Sequence, residues 1–148
     1  MRISIGADHK GVDHKKAICE FLKSKGIIVY DEGPYVYDSV DYPDYAKIVA
    51  SKVSKKEVDF GILICYTGIG MSIAANKVKG VRASLVGIVE DAILTREHND
   101  SNVLCLSAKN TSIDDALKIV DAYLNTLFTA GRHTARVDKV MMLENEER

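Results

Sequence analysis

The sequence predicts an α/β fold, a doubly wound parallel sheet that forms one domain over residues 1–148. Short apolar runs alternate along the chain with longer segments of helical period, which is typical of strands joined by crossover helices. The central run, residues 61–65, is apolar throughout, as expected for a strand that is covered on both faces. A length of 148 residues suits one domain, since most domains have roughly 100–150 residues.

Five strands are predicted in chain order, at residues 2–7, 27–31, 60–65, 82–86 and 102–106. The first helix is predicted around residues 17–22, with Gly26 as its C-cap, and the second begins just after Pro43 and continues to about residue 53. Helical spacing of apolar residues predicts further helices at residues 73–78, 92–97, 113–124 and 134–143. Residues 144–148 are expected to form a solvated tail.

Composition and charge narrow the class of protein. A formal net charge of -1 gives no overall attraction to nucleic acid or to an anionic membrane, so a bound anion must meet a local cluster of positive groups. The three cysteines are widely separated and form no CxxC pair, which favours reduced thiols in the cytoplasm over disulfides or a zinc thiolate site. The first residues contain no apolar signal region, and no apolar run approaches the roughly 20 residues of a membrane helix. The sequence therefore predicts a cytoplasmic protein with neither nucleic-acid nor membrane partners.

The loop after the third predicted strand carries the clearest chemical pattern. Cys65 ends the strand, and Gly68 and Gly70 open the next helix. Glycines allow backbone N–H groups to turn towards an anion, and the positive end of the helix favours a thiolate at Cys65. A thiolate there can remove a proton next to a carbonyl while N–H groups hold the enediolate oxygen, with Thr67 hydrogen-bonded to the thiol or the substrate. The alternative is a small buried cysteine before a tight turn, and the residues alone leave both open.

Several familiar sites are not predicted. A dinucleotide fingerprint needs a third glycine where Ile73 stands, no glycine is followed by a GK[ST] sequence, and a cysteine phosphatase loop has arginine where Met71 stands. The histidines are scattered without metal-ligand spacing, so neither a metal nor a cofactor is predicted. The glycine loop therefore suits a small oxyanion better than a nucleotide.

Positive and titratable side chains supply candidates for substrate binding. Arg132 and Arg136 are four residues apart, so on a helix they share a face that can grip one phosphate or can simply be solvated. Lys109 follows the fifth strand and can add positive charge. His9 follows the first strand and His98 lies in the segment after the fourth, and histidine is the natural proton shuttle near neutral pH.

Six blocks of sequence resemble the B-type ribose-5-phosphate isomerases, a family whose scaffold the galactose-6-phosphate isomerase subunits share. They occur in the family's order over nearly the whole chain. The blocks are Gly6-Ala7-Asp8-His9, Asp41-Tyr42-Pro43, residues 64–70, Ala74-Ala75-Asn76-Lys77, residues 96–102 and residues 131–136.

The resemblance implies a Rossmann-like αβα sandwich that dimerises, with each active site built from both subunits; a tetramer of two dimers stays open. It implies a small phosphorylated sugar as ligand. It also implies that Cys65 is the base that moves a proton between C2 and C1, that Thr67 assists this base, and that His98 opens the furanose ring. The remaining implied contacts are substrate-binding: the backbone of Gly68, Ile69 and Gly70 to the enediolate, Asp8 and Asn99 to sugar hydroxyls, His9, Lys109, Arg132 and Arg136 to the phosphate end, and Tyr42 lining the site.

Two residues depart from the family pattern. Position 66 is usually glycine in the family and is tyrosine here, which costs strain if the loop requires a positive φ. Position 109 is commonly arginine, and Lys109 cannot make the same bidentate phosphate contact. The leading hypothesis is the interconversion of ribose 5-phosphate and ribulose 5-phosphate. The alternatives are the same chemistry on galactose 6-phosphate, allose 6-phosphate or a tetrose phosphate, and a non-catalytic module that binds a phosphometabolite.

Overall fold

The computed structural model describes residues 1–146 and confirms the predicted α/β fold. The strands of its all-parallel sheet lie in the order β2-β1-β3-β5-β4. Strands and helices alternate in the order β1 (Arg2–Ala7), α1 (Val12–Ser24), β2 (Ile28–Asp31), α2 (Tyr42–Ser54), β3 (Phe60–Cys65), α3 (Ile69–Ala75), β4 (Ala83–Leu85), α4 (Val89–Asn99), β5 (Val103–Ser107), α5 (Ile113–Leu124) and α6 (Arg132–Met142).

The central strand β3 is buried on both faces, as its apolar sequence predicts. Ile62 and Ile64 pack into a core with α1 and α5, whereas Leu63 and Cys65 pack into a second core with α2 and α3. The alternation follows from the period of two along a strand. Cys65 therefore reaches the end of the sheet on the face that α2 and α3 cover.

Local signals explain where several helices begin and end. Gly26 has φ +77 and lies one residue beyond the cap residue Lys25, so the predicted glycine C-cap is shifted by one position. The N–H of Gly26 donates to the Lys23 carbonyl and that of Ile27 to the Leu22 carbonyl, which is a Schellman ending. Within residues 1–146, no helix is long and apolar enough to cross a membrane.

Three sequence predictions need correction. Helix α3 begins at Ile69 instead of residue 73, because the Ser72 N–H already bonds to the Gly68 carbonyl in the first turn. Helix α4 extends further at both ends than the predicted 92–97. The predicted solvated tail is partly anchored, since Glu144 Oε1 accepts a hydrogen bond of 2.7 Å from the Gly80 N–H; residues 147 and 148 of that tail lie outside the described residues.

Candidate active site

Strands β1 and β3 end side by side at the carboxyl edge of the sheet. The Asp8 N–H donates to the Ile64 carbonyl at 3.0 Å, which ties the loop after β1 to the end of β3. Asp8 is only 8% exposed, and its Oδ1 accepts hydrogen bonds from the N–H groups of Lys10 at 2.9 Å and Gly11 at 3.1 Å. These bonds hold the carboxylate in one orientation beside the end of β3. The strand order reverses between β1 and β3, and ligands usually bind at the carboxyl edge beside such a reversal.

The Cys65 thiol is held by the turn that follows it. Its Sγ accepts a hydrogen bond from the Gly68 N–H at 3.2 Å, and Thr67 Oγ1 accepts one from the Ile69 N–H at 3.3 Å. Donation of an N–H to sulfur stabilises negative charge there, as a thiolate base requires. Gly68 has φ +78, and an added Cβ would lie 2.5 Å from Leu85 Cδ1, so the turn requires glycine.

Gly70 serves a different purpose from Gly68. A Cβ at this position would lie 2.6 Å from Cε1 and 2.7 Å from Cζ of Tyr42, the first residue of α2. The missing side chain therefore allows the Tyr42 ring to lie directly on the first turn of α3. Tyr42 is 39% exposed and lies against the segment that follows the Cys65 turn.

His9 and Tyr66 also lie at the carboxyl edge of the sheet. The Val40 N–H donates to His9 Nδ1 at 3.3 Å, so the neutral imidazole carries its proton on Nε2. Tyr66 is 48% exposed and does not have a positive φ, so the strain considered for this position is absent. Its carbonyl accepts a hydrogen bond from the Lys109 N–H at 2.8 Å. This bond joins the segment after β5 to the segment after β3.

His98 and Asn99 do not lie at this edge. Helix α4 begins after the carboxyl end of β4 and runs back, so His98 and Asn99 end beside the amino ends of β4 and β5. Arg82, which directly precedes β4, donates its Nε to the Asp100 carbonyl at 2.9 Å. With six residues in β3, the two edges are roughly 17 Å apart at about 3.3 Å per residue. Within one chain, His98 and Cys65 are therefore on opposite edges of the sheet.

At the amino edge of the sheet, the C-terminal end of α4 lies beside the start of α6. The Thr129 N–H and Oγ1 both donate to the Glu97 carbonyl, at 3.2 Å and 2.9 Å, which ties the segment before α6 to α4. The His98 and His133 rings stack with centroids 4.3 Å apart. A cavity of about 660 Å³ opens beside them, and its lining includes His98, Asn99, His133 and Arg136.

His133 is a candidate that the sequence reasoning missed. The pKa of its imidazole is lowered, and desolvation is the largest cause. The neighbouring His98, Arg132 and Arg136 lower that pKa further. Its place between the two arginines was the only signal available in the sequence. The stack with His98 depends on a contact between helices that no local pattern encodes.

The predicted site residues thus form two groups in one chain. The carboxyl-edge group contains Asp8, His9, Tyr42, Cys65, Thr67, Gly68, Ile69, Gly70 and Lys109. The amino-edge group contains His98, Asn99, Arg132 and Arg136. Among residues 1–146, no three His, Cys, Asp or Glu side chains are grouped so that they could hold a metal ion.

The fold and the carboxyl-edge group define a Rossmann-like α/β protein with a thiol and a glycine turn at the point where the winding of the sheet reverses. A model of the family described as Ribose/Galactose Isomerase matches residues 3–140. The chain belongs to this family.

Individual relatives match over almost their full length. The chain is 49% identical over 146 residues to the probable ribose-5-phosphate isomerase B of Mycoplasma genitalium, covering 97% of this chain and 96% of the relative. It is 43% identical over 143 residues to the ribose-5-phosphate isomerase B of Escherichia coli, covering 97% and 96%.

Solved structures agree with the fold. The ribose-5-phosphate isomerase B of Clostridium thermocellum superposes with a TM-score of 0.96 at 47% identity, covering 98% of each chain. The Mycoplasma genitalium enzyme, solved with bound ribulose-5-phosphate, has a TM-score of 0.96 at 48% identity, covering 99% of this chain and 97% of the other.

Proposed function

We propose that this protein is an aldose–ketose isomerase that interconverts ribose 5-phosphate and ribulose 5-phosphate through a cis-enediolate, with Cys65 as the base. The hydrogen bond of 3.2 Å from the Gly68 N–H to Cys65 Sγ is the observation that carries the proposal. Together with the position of Cys65 at the carboxyl edge, where such sheets usually bind their ligands, this bond supports the sulfur as the base. Relatives named as ribose-5-phosphate isomerase B support the choice of substrate.

The reaction requires one base and one oxyanion site. The Cys65 thiolate takes the proton from C2 of the open aldose, the C2 electrons form a C1=C2 double bond, and the carbonyl oxygen becomes an oxyanion. A proton then moves from the hydroxyl on C2 to the oxyanion on C1. Return of the first proton from Cys65 to C1 forms the ketose carbonyl at C2. In this proposal the backbone of residues 68–70 stabilises that oxyanion. The Gly68 and Ile69 N–H groups are shared between it and their acceptors in the structure, Cys65 Sγ and Thr67 Oγ1. Thr67 assists the proton transfer.

A complete site in this proposal needs two copies of the chain. Cys65 and His98 lie on opposite edges of one sheet, so His98 of a second copy must open the furanose ring at Cys65. Exposed apolar side chains occur on both surfaces, with Ile73 58% exposed on α3 and Val140 53% exposed on α6. A homodimer in which these surfaces meet would bury them and bring the two groups of site residues together.

The phosphate end then lies among positive groups from both copies. The Nε2–H of His9 and the Lys109 ammonium come from the carboxyl edge, and Arg132 and Arg136 of the second copy come from the start of α6. Asp8, with one carboxylate oxygen fixed by the loop, and Asn99 are suited to sugar hydroxyls.

The test is turnover of ribose 5-phosphate by purified protein, with and without a chelator. We expect ketose formation that survives the chelator and falls by about 10²–10⁴-fold in Cys65→Ala, while ribose 5-phosphate still binds. Cys19→Ala is the matched control, because it removes another buried thiol away from the site and should retain turnover. Full activity in Cys65→Ala contradicts the proposed base.

Tyr66 supports a second candidate, the same chemistry on another sugar phosphate. Its ring is 48% exposed next to Cys65, where the family usually has glycine, so it changes the space beside the base. The assay therefore includes galactose 6-phosphate, allose 6-phosphate and a tetrose phosphate. Turnover of one of these without turnover of ribose 5-phosphate selects the second candidate, and tight binding without any turnover selects a non-catalytic module.

A further inference from the structure

The ammonium groups of two lysines lie near the ring of Tyr66, the residue that follows the proposed base Cys65. Lys10 Nζ lies 5.7 Å and Lys109 Nζ lies 5.8 Å from the centroid of the Tyr66 ring. An aromatic face attracts an ammonium group within about 6 Å through its quadrupole. The ring therefore gathers two like charges that would otherwise spread apart in solvent.

The strand order brings these three side chains together. Lys10, Tyr66 and Lys109 follow β1, β3 and β5, which are neighbours in the sheet. The Lys10 N–H is bonded to Asp8 Oδ1 at 2.9 Å, and the Lys109 N–H to the Tyr66 carbonyl at 2.8 Å. Ser107 Oγ also donates to that carbonyl, at 2.9 Å. The backbone of each lysine is thus anchored, and the ring restricts where its flexible side chain extends.

Neither ammonium group is neutralised within residues 1–146. The ion pairs of that part of the chain involve Lys15, Lys52, Arg82 and Arg96, and none of them includes Lys10 or Lys109. A protein with a formal net charge of -1 attracts an anion only through such a local excess of positive charge. This excess lies beside Cys65, where the reacting sugar is proposed to bind.

We propose that Tyr66 is a positioning residue, which holds the ammonium groups of Lys10 and Lys109 ready for the phosphate of the substrate. The inference rests on the proposed function, because it names the end of the sugar phosphate that this cluster receives. The ring acts through the two lysines: ordering them before binding removes part of the entropy cost that two free lysines would add on binding. The selectivity for phosphorylated over unphosphorylated sugar then depends on the Tyr66 ring. A chain with glycine at position 66 lacks this ring.

The test compares Tyr66→Leu with Tyr66→Phe by calorimetric titration with inorganic phosphate and with ribose 5-phosphate. We expect Tyr66→Leu to weaken both by about 5-fold, the factor that about 1 kcal/mol represents, and Tyr66→Phe to bind as the unaltered protein does. In turnover assays, Tyr66→Leu should raise KM with little change in kcat. Tyr30→Leu is the matched control, since Lys52 lies 4.9 Å from the Tyr30 centroid but is paired with Glu32.

A coupling measurement separates the contact between Lys10 and Tyr66 from any general loss of binding that the leucine variant causes. Lys10→Gln should weaken phosphate binding about 5-fold in the unaltered protein and clearly less in the Tyr66→Leu background. The proposal is overturned if Lys10→Gln weakens phosphate binding equally in both backgrounds, or if Tyr66→Leu binds phosphate unchanged. It is also overturned if Tyr66→Phe loses as much phosphate binding as Tyr66→Leu. Failure to bind phosphate at all also overturns it. A protein that binds phosphate as expected but does not isomerise ribose 5-phosphate refutes the proposed function alone.

Discussion

The imidazole rings of His98 and His133 stack with their centroids 4.3 Å apart and their planes 17° apart. Two stacked imidazoles repel each other when both are charged, and Arg132 and Arg136 add further positive charge beside them. Together with desolvation, which is the largest cause, these neighbours lower the pKa of His133. The neutral form of the His133 imidazole is therefore favoured beside these positive groups.

The first prediction concerns the titration of His133, followed by NMR against pH. Its midpoint should lie below the ordinary value of 6.5, and Arg136→Gln should move it upwards because a neighbouring positive charge is removed. Arg136→Lys, which keeps the charge, should leave the midpoint nearly unchanged. A depressed histidine pKa means that the unfolded chain binds the proton more readily, so stability falls as the pH drops below 6.5. A midpoint at or above 6.5 contradicts the prediction.

The second prediction is that Cys65 is alkylated first among the three cysteines. Burial, and next the Asp31 carboxylate, raise the pKa of the Cys19 thiol to about 11. Burial also raises the pKa of Cys105 well above its usual range. The Cys65 sulfur lies at the carboxyl end of β3 and accepts a hydrogen bond from the Gly68 N–H.

Mass spectrometry after iodoacetamide treatment at pH 8 checks this order. We expect modification at Cys65, protection by ribose 5-phosphate, and reaction of all three thiols in denatured protein. Faster labelling of Cys19 or Cys105 in the folded protein contradicts the prediction.

The sheet and the Cys65 turn were predictable from sequence because their signals are local. The continuous apolar run of β3 and the glycines after Cys65 are read within a few residues. The spacing of apolar residues becomes helical only at Ile73 and so predicted a later start for α3, although Gly70 already lies in the helix with the Tyr42 ring on it.

The position of His98 could not be read in this way. Proximity to the fourth strand suggested the carboxyl edge, but the eleven residues of α4, at about 1.5 Å each, carry the chain roughly 16 Å back across the sheet. Which edge a residue reaches depends on how far the helix continues, and the predicted helix was too short.

The third prediction separates the roles of the two glycines by urea unfolding and kinetics. Gly68→Ala should destabilise the protein by about 2–4 kcal/mol, since φ +78 strains alanine and the new Cβ meets Leu85 at 2.5 Å and the Leu106 backbone at 3.0 Å. Gly70→Ala meets only the exposed Tyr42 ring, which can swing away, so its stability loss should stay below about 1 kcal/mol. Its effect should instead appear as an increased KM.

Gly87→Ala is the matched control, because nothing lies within 4 Å of a Cβ at that position. Combining Gly70→Ala with Tyr42→Ala tests the reason given for Gly70. The double variant should be no worse in KM than Tyr42→Ala alone, since the ring that the new Cβ displaces is already gone. Equal destabilisation by Gly68→Ala and Gly70→Ala contradicts the distinction.

The fourth prediction tests whether two copies share each site. Cys65→Ala and His98→Asn are each expected to be nearly inactive as homodimers. When the two variants are mixed and allowed to exchange subunits, half of the dimers contain one copy of each. In such a dimer one site lacks both groups, and the other receives Cys65 from one copy and His98 from the other. About a quarter of the unaltered activity should therefore return.

The alternative, a site completed within one chain, gives a different result. Every chain in the mixture then lacks either the thiol or the imidazole, so no activity returns at any mixing ratio. The control replaces His98→Asn by the double variant Cys65→Ala/His98→Asn, whose mixture with Cys65→Ala has no intact thiol and should remain inactive. Recovered activity should also rise and fall with the fraction of mixed dimers, which native mass spectrometry measures in the same samples. Since Cys65 and His98 lie on opposite edges of the sheet, we expect the recovery to follow that fraction.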